Sequence, residues 1–365
     1  MTVFERTLAF LNRNERLLMI VTTICGFSFD IIIAKRPDSL FVNVLLLVYI
    51  CVSAAIIVHL HTPARRSGVK HPAETLLFLL VLTFCFGGLA SNLLILYGKS
   101  GTPSGDLLFI GLLLGLLVGN EFVRGKYEQF RFNIGVWYTL LLTYCVIAVP
   151  TFVLHTIGAS EFLMSEGISL AAAIVFLLIL NGVVKLFKGT QGRQLLRQSI
   201  YIILSIFYFF NALYFFGVIP PVPLALKQIG VYHSVIHMGD SYLVVLESPK
   251  TWEFWKDTST TFHSVGNEPL YCFSAVFAPT ELTTPIVHRI EHYNEVLKAW
   301  DTITTVSFPI LGGRAEGFRG YSVVASPKVG KWRCDVETSG GNLIGRTNFT
   351  VEEGSAAPVL VQSTL

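Results

Sequence analysis

SIYIILSIFYFFNALYFFGVIPPVP, residues 199–223, leads into GVYHSVIHMGDSYLVVLE, residues 230–247, and the change of rhythm between them decides the fold. Ser199 to Ile219 is apolar almost throughout and has the length, ~20 residues, that a helix needs to cross hydrocarbon. Pro220-Pro221-Val222-Pro223 then stops it, because proline offers no N–H to continue a helix. From Gly230 apolar and polar residues alternate, and Gly239-Asp240 interrupts the alternation as a hairpin turn does. A membrane helix ends here and a β-domain begins.

Working outward towards the amino terminus, the same apolar texture recurs. The chain is 52% hydrophobic and only 14% charged, with a mean hydropathy of +0.60, whereas soluble domains carry about 25% charged residues. Lipid offers no partner for exposed backbone groups, so each long apolar run reads as a helix. Seven transmembrane helices are expected, at about 17–34, 40–60, 75–97, 106–123, 134–155, 168–187 and 199–219. The first lacks a small-residue cleavage site before Lys35 and reads as an uncleaved anchor.

Cations are retained on the cytoplasmic side, so loop charge gives direction. Arg6, Arg13 and Arg16 precede the first span; Arg65, Arg66 and Lys70 fill the second loop. Arg124, Lys126 and Arg131 fill the fourth, and Lys185, Lys188, Arg193 and Arg197 the sixth. The alternate loops hold only Lys35, Arg36 and Lys99. The expectation is a multi-pass protein of the inner (plasma) membrane with a cytoplasmic N-terminus and a periplasmic or extracellular C-terminal domain. A basic pI of 8.5 then reflects loops beside a membrane and no nucleic-acid partner. The seventh span contains no lysine for a Schiff base, which sets the chain apart from retinal proteins.

Within the spans, Gly111, Gly115 and Gly119 form a small-residue stripe that suits close packing against a neighbouring helix of the same chain, with homodimerisation the less favoured alternative. Pro150 is expected to kink the fifth span near its outer end. Ionisable groups in lipid are costly and mark candidate sites. Asp30, Asn92 and His155 fall at similar depth and define a possible polar pocket near the outer face; simple hydration of Asp30 beside Lys35 and Arg36 is the plainer alternative. Repeated carboxylates of a transport pathway are not evident.

The C-terminal region reads as a run of short strands at 231–238, 242–247, 270–277, 286–293, 302–310, 320–325, 330–338 and 343–352, the pattern of an antiparallel, all-β immunoglobulin-like sandwich. In the strand beginning at Lys331, Trp332, Cys334 and Val336 point to a core while Arg333, Asp335 and Glu337 point to water. Cys272 lies in another strand. An inter-sheet disulfide to Cys334 and two separate buried thiols both fit. Cys25, Cys51, Cys85 and Cys145 lie in spans and read as packing residues.

Several ordered motifs then come together: Tyr271-Cys272-Phe273-Ser274-Ala275-Val276-Phe277-Ala278-Pro279, Ile286-Val287-His288-Arg289, Gly317-Phe318-Arg319-Gly320-Tyr321-Ser322, Gly330-Lys331-Trp332-Arg333-Cys334-Asp335-Val336 and Ile344-Gly345-Arg346-Thr347-Asn348-Phe349. In this order they resemble the bacterial family called domain of unknown function 2914 over about the last third of the chain. The resemblance implies a β-sandwich and a cell-envelope location, and points to no known activity.

His288 and His292 share a strand face with Ile286 and Ile290; a zinc site would want a third ligand, Glu291 or His263, but Glu291 faces the other way, so a structural or surface role is the plainer reading of the two histidines and no metal or cofactor is expected. A triad of Ser322, His288 and Asp301 lacks a nucleophile elbow. Arg314, Arg319 and Arg333 form a cationic set able to meet an anionic partner, or a solvated face balanced by Glu316, Asp335 and Glu337. Trp252, Phe254 and Trp255, beside Lys250 and Lys256, suit either a lipid interface or a core.

The expected domains are 1–219 (membrane helices), 220–229 (Pro-rich linker), 230–354 (β-sandwich) and 355–365 (flexible tail). The leading expectation is a non-enzymatic envelope protein whose outer domain binds a protein or polysaccharide. The alternative is a membrane enzyme or transporter working at Asp30, Asn92 and His155.

Overall fold

The computed structural model describes residues 21, 24, 27–32, 38–62, 72–100, 107–122, 129–221, 223–248, 258–266, 268–279, 282–311, 317–354 and 359–365. Most of the first expected span, Cys25, Arg314 and the Trp252–Phe254–Trp255 patch lie outside them. The chain divides into two compact units, Met1–Gly98 with Gly105–Ile219 and Lys99–Ser104 with Pro220–Leu365.

The first unit is helical. Its elements are α1 (Leu40–Leu60), α2 (Pro72–Ser100), α3 (Leu107–Phe122), α4 (Phe130–Val149), α5 (Ala159–Val184) and α6 (Gly189–Phe215). Five of these, all but α3, are long and apolar enough to cross a membrane. The last two begin well before their apolar runs. The first turns of α5 carry Ser165 and Glu166, and those of α6 carry Gln191 and Arg193, which a search for apolar sequence passes over. Pro150 opens a π-helical turn, Pro150–Leu154, at the end of α4. His155 N–H reaches back to the Pro150 carbonyl at 2.9 Å, and His155 itself takes a left-handed φ of 54°.

Aromatic side chains join the helices. Trp137 of α4 lies 4.4 Å from Phe176 of α5, and its indole N–H donates to the Ile50 carbonyl of α1 at 3.2 Å. Phe109 of α3 meets Phe210 of α6 edge-on at 5.8 Å. Gly88 of α2 permits a close approach, since a Cβ there would stand 2.7 Å from the Tyr49 ring. The Gly111, Gly115 and Gly119 stripe behaves differently. Among the described residues nothing comes within 4 Å of where their Cβ atoms would be.

The second unit is β-rich, with β1 (Ala225–Tyr232), β2 (Ser234–Met238), β3 (Ser241–Glu247), β4 (Thr261–Ser264), β5 (Leu270–Phe277), β6 (Thr283–Asn294), β7 (Ala299–Leu311), β8 (Phe318–Val324), β9 (Gly330–Thr338), β10 (Leu343–Glu353) and β11 (Leu360–Thr364). They form three sheets, ordered β1-β5-β8, β4-β10-β9-β6-β7 and β11-β3-β2. One core joins the first two sheets through Val231, Leu270, Cys272, Ile290, Trp332, Cys334 and Phe349. Another joins the first and third through Tyr232, Val244, Leu246, Phe273 and Ala275. β5 is therefore covered on both faces, which explains its near-continuous apolar run Leu270–Phe277, broken only by Ser274.

Two expected boundaries are corrected. The linker ends sooner than residue 229, because β1 starts at Ala225 and pairs with β5 as far back as Phe277. The expected tail supplies β11, which pairs antiparallel with β3 from Leu360 opposite Glu247 to Thr364 opposite Leu243. The alternation of Leu360–Leu365 is short and partly exposed, so sequence pattern alone gives it little weight, whereas the free edge of β3 supplies its hydrogen bonds.

Candidate functional site

Cys272 of β5 and Cys334 of β9 form a disulfide that links the two facing sheets across the first core, and both are wholly buried. Trp332 lies beside it, 2% exposed, its indole N–H donating to the Lys328 carbonyl at 2.7 Å. His288 of β6 bridges the same two sheets. Its Nε2 lies 2.6 Å from Ser274 Oγ and its Nδ1 2.8 Å from Ser322 Oγ, with Phe308 edge-on at 4.8 Å. Burial pushes the imidazole down to about 4, so it sits neutral between two hydroxyls at physiological pH.

The residues expected near His288 are distributed otherwise. His292 shares its strand face but packs on Trp332 at 4.8 Å and reaches the Val329 carbonyl at 3.3 Å. His263, on β4, bonds Glu247. Asp301 accepts from Asn294 at 2.9 Å, so Ser322 and His288 have no carboxylate orienting them as a triad. The ligand atoms of Cys272, His288 and Cys334 lie within 4.8 Å of one another, but the two sulfurs are bonded to each other and offer no thiolate.

On the outer face of β6, β9 and β10 the alternation expected to meet water builds a charge network instead. Arg346 grips Asp335 with two parallel bonds of 2.6 and 2.5 Å. Arg333 pairs with Glu291 and lies over the Trp300 ring at 4.5 Å, while Thr302 donates to Glu291 at 3.2 Å. Arg289 pairs with Glu337 at 2.7 Å. Asp335, Glu291 and Glu337 are 1%, 5% and 6% exposed because the arginine stems fold over them. The Asp335 carboxylate raises the Arg346 guanidinium above its ordinary range; burial raises the Glu337 carboxyl, with Arg289 opposing it. The three arginines and three carboxylates are neutral as a set. The signal for the network was present as alternating charge in Lys331–Glu337 facing Arg289 and Glu291, but strand alternation alone does not reveal which charges bury one another.

Arg319 stands apart from Arg333. Its Nη1 donates to the Asp240 carbonyl at 2.9 Å and the Leu365 carbonyl at 3.2 Å, fastening the β2–β3 turn to the end of β11. The expected cationic set therefore does not converge among the described residues. A further cluster escaped the sequence. His233, between β1 and β2, places Nε2 3.0 Å from Glu247 and Nδ1 3.1 Å from Glu268, and stacks on Phe262. His263 meets the other Glu247 oxygen at 2.7 Å. Burial works against the Glu247 carboxylate, but the bonds from His263 and His233 win and hold it below its ordinary range.

The β6–β7 hairpin is the most exposed feature built on this frame. Asn294 Oδ1 accepts from the Val296 and Leu297 N–H groups at 3.1 Å each, and its amide donates to Asp301. Lys298 closes the turn with a φ of 49°. The clamped tip leaves Val296 90% and Leu297 68% exposed, and Val329, beside His292, is exposed as well. Tyr293 and Trp300 form its collar at 5.1 Å, with Lys331 over the Tyr293 ring.

In the helical unit, Asp30 is 1% exposed, accepts from Ser91 Oγ and hydrogen-bonds Asn92. Asn92 also donates to the Gly88 carbonyl at 2.9 Å, one turn earlier. Asp30 and Asn92 thus come together. His155 is positioned by its bond to Pro150 at the end of the π-turn.

Fold and sites define a helical unit of membrane-crossing composition joined to a disulfide-bonded β-domain. Residues 283–351, from β6 into β10, match the family described as "Protein of unknown function (DUF2914)", so the hairpin and the charge network both fall inside the matched segment. No curated protein matches the chain. Among solved structures, Pseudomonas fluorescens alkylpurine DNA glycosylase AlkC bound to DNA containing an abasic site analog aligns with 87% of this chain and 100% of that one, at 11% identity. Its TM-score of 0.20 is too low to indicate a shared fold.

Proposed function

We propose that this is an integral membrane protein of the cell envelope, without catalysis, whose outer β-domain docks a protein or glycan partner through the β6–β7 hairpin. In this reading the chain crosses the inner membrane seven times, the first span and α3 joining the five long helices. The loop cations support a cytoplasmic N-terminus and an outer β-domain. The disulfide agrees with an oxidising compartment. The two sheets that it links serve as the layers of an immunoglobulin-like sandwich, with β11-β3-β2 added as a third.

The observation that carries the docking role is the rigid apolar tip. Soluble surfaces scatter single apolar residues, but here a side chain amide spends both its groups holding Val296 and Leu297 in solvent. Ser274 lies level with His288, and Cys272 with Ile290 across Cys334, so β6 runs parallel to β1. The tip is accordingly at the end of the domain opposite Ala225, roughly 35 Å along the strands. A photocrosslinker at Leu297 in intact cells should yield discrete adducts that the same probe at exposed Glu353 does not; equal yields from both would refute the docking role. A C-terminal epitope cleaved by protease only after cell lysis would refute the topology.

The union of Asp30 with Ser91 and Asn92 favours a second reading, a polar working site inside the helical unit. Loss of function in Asp30→Asn with normal insertion would select it over docking.

A further inference from the structure

Glu166 lies seven residues into α5, about 10 Å from its start, and is wholly buried. Asn211 of α6 donates its amide to Oε2 at 2.6 Å and also bonds the Phe207 carbonyl at 3.0 Å. Oε1 is equally buried and has no hydrogen-bond partner among the described residues. Serines flank the carboxyl along the helix. Ser165 and Ser169 are both fully buried, Ser169 donates to the Glu166 backbone carbonyl at 2.8 Å, and the Tyr138 hydroxyl of α4 stands 3.5 Å from Ser169 Oγ. One turn along both helices, Phe162 stacks on Tyr214 at 3.9 Å. Tyr138 is the titratable group that faces Glu166 from α4, and α6 presents the uncharged Asn211.

No lysine, arginine or histidine among the described residues pairs with this carboxyl. A bare carboxylate held by one amide in a membrane interior costs several kcal/mol, which neither the amide nor neighbouring hydroxyls offset. A cation at Oε1 removes that cost. A metal ion of the hard class needs about six oxygen ligands, and none of the hydroxyls of Ser165, Ser169 and Tyr138 lies within hydrogen-bond reach of Oε1; a proton needs one oxygen.

We propose that Glu166 and Asn211 form an intramembrane proton-binding site, Oε1 taking the proton and Asn211 fixing Oε2. The site is distinct from the Asp30 cluster and from the docking hairpin. It rests only on the helical unit being embedded in lipid, which alkaline carbonate extraction tests separately.

The full-length chain in native membranes should be treated with dicyclohexylcarbodiimide, which is lipid-soluble and reacts with protonated carboxyls. The acid proton passes to a carbodiimide nitrogen as the carboxyl oxygen bonds the central carbon, and an acyl shift gives a stable N-acylurea with no leaving group. Fragment masses should place the adduct on Glu166, with complete loss in Glu166→Gln. An infrared spectrum should show a carboxylic C=O band that Glu166→Gln removes. That band decides the matter where the reagent fails to reach the site. Its absence from the wild type overturns the proposal, as does loss of labelling on adding sodium at constant pH, which assigns a metal cation.

Discussion

Acidification should unseat His288, and the cost can be worked from its surroundings. The ring is fully buried between Ser274 and Ser322 and held down to about 4, against an ordinary value of 6.5. The unfolded chain takes up a proton that the fold refuses, so this contribution is present above 6.5 and is lost as pH falls from there towards 4. The gap corresponds to about 3 kcal/mol, a large share of a domain's stability. Replacing His288 with Leu should destabilise the domain by ~2–4 kcal/mol at neutral pH, because two buried hydroxyls lose their partner. It should also remove the acid sensitivity. Hydrogen exchange of β5 and β6 amides in the full-length protein, corrected for intrinsic rates, measures both effects. Equal loss of protection between neutral pH and pH ~4 in wild type and His288→Leu would refute the reasoning.

Reduction of Cys272–Cys334 releases a loop with a sequence separation of 62 and should cost about 4 kcal/mol by chain entropy, read as a lower unfolding midpoint with a dithiol present. Arg346→Ala should cost ~3–5 kcal/mol by stranding buried Asp335, and adding Asp335→Asn should recover part of it in the same unfolding assay. Asn294→Ala should cost only ~1 kcal/mol yet abolish crosslinking from Leu297, because the tip loses its clamp and not its sheet.

Much of the β-domain was legible because strand periodicity is local. β5 and β9 occupy the ranges that alternation and turn residues assign, and Trp332 and Cys334 face the core. β4 and β11 were not legible: each is four or five residues long and gains its place from a distant partner, β10 or β3. The outer charges of β9 illustrate the same limit. Alternation gives the side of a sheet, whereas burial of Asp335 depends on Arg346 from another strand. Glu166 was hidden for a simpler reason. It lies outside the apolar run, and only the observed start of α5 at Ala159 carries it into the bundle. Asp30 and Asn92 could be matched by depth, but the hydroxyl of Ser91 that joins them has no signature in composition.

The pairing of β3 with β11 has a consequence for biogenesis. Every strand from β4 to β10 separates the two, so a chain synthesised from its amino terminus presents β3 with one bare edge until its last residues are made. The β2–β3 ribbon must wait, unsealed, for the last segment to arrive. That interval is when a chaperone or a sister chain would find it open, and the guanidinium of Arg319 is the latch that ends it.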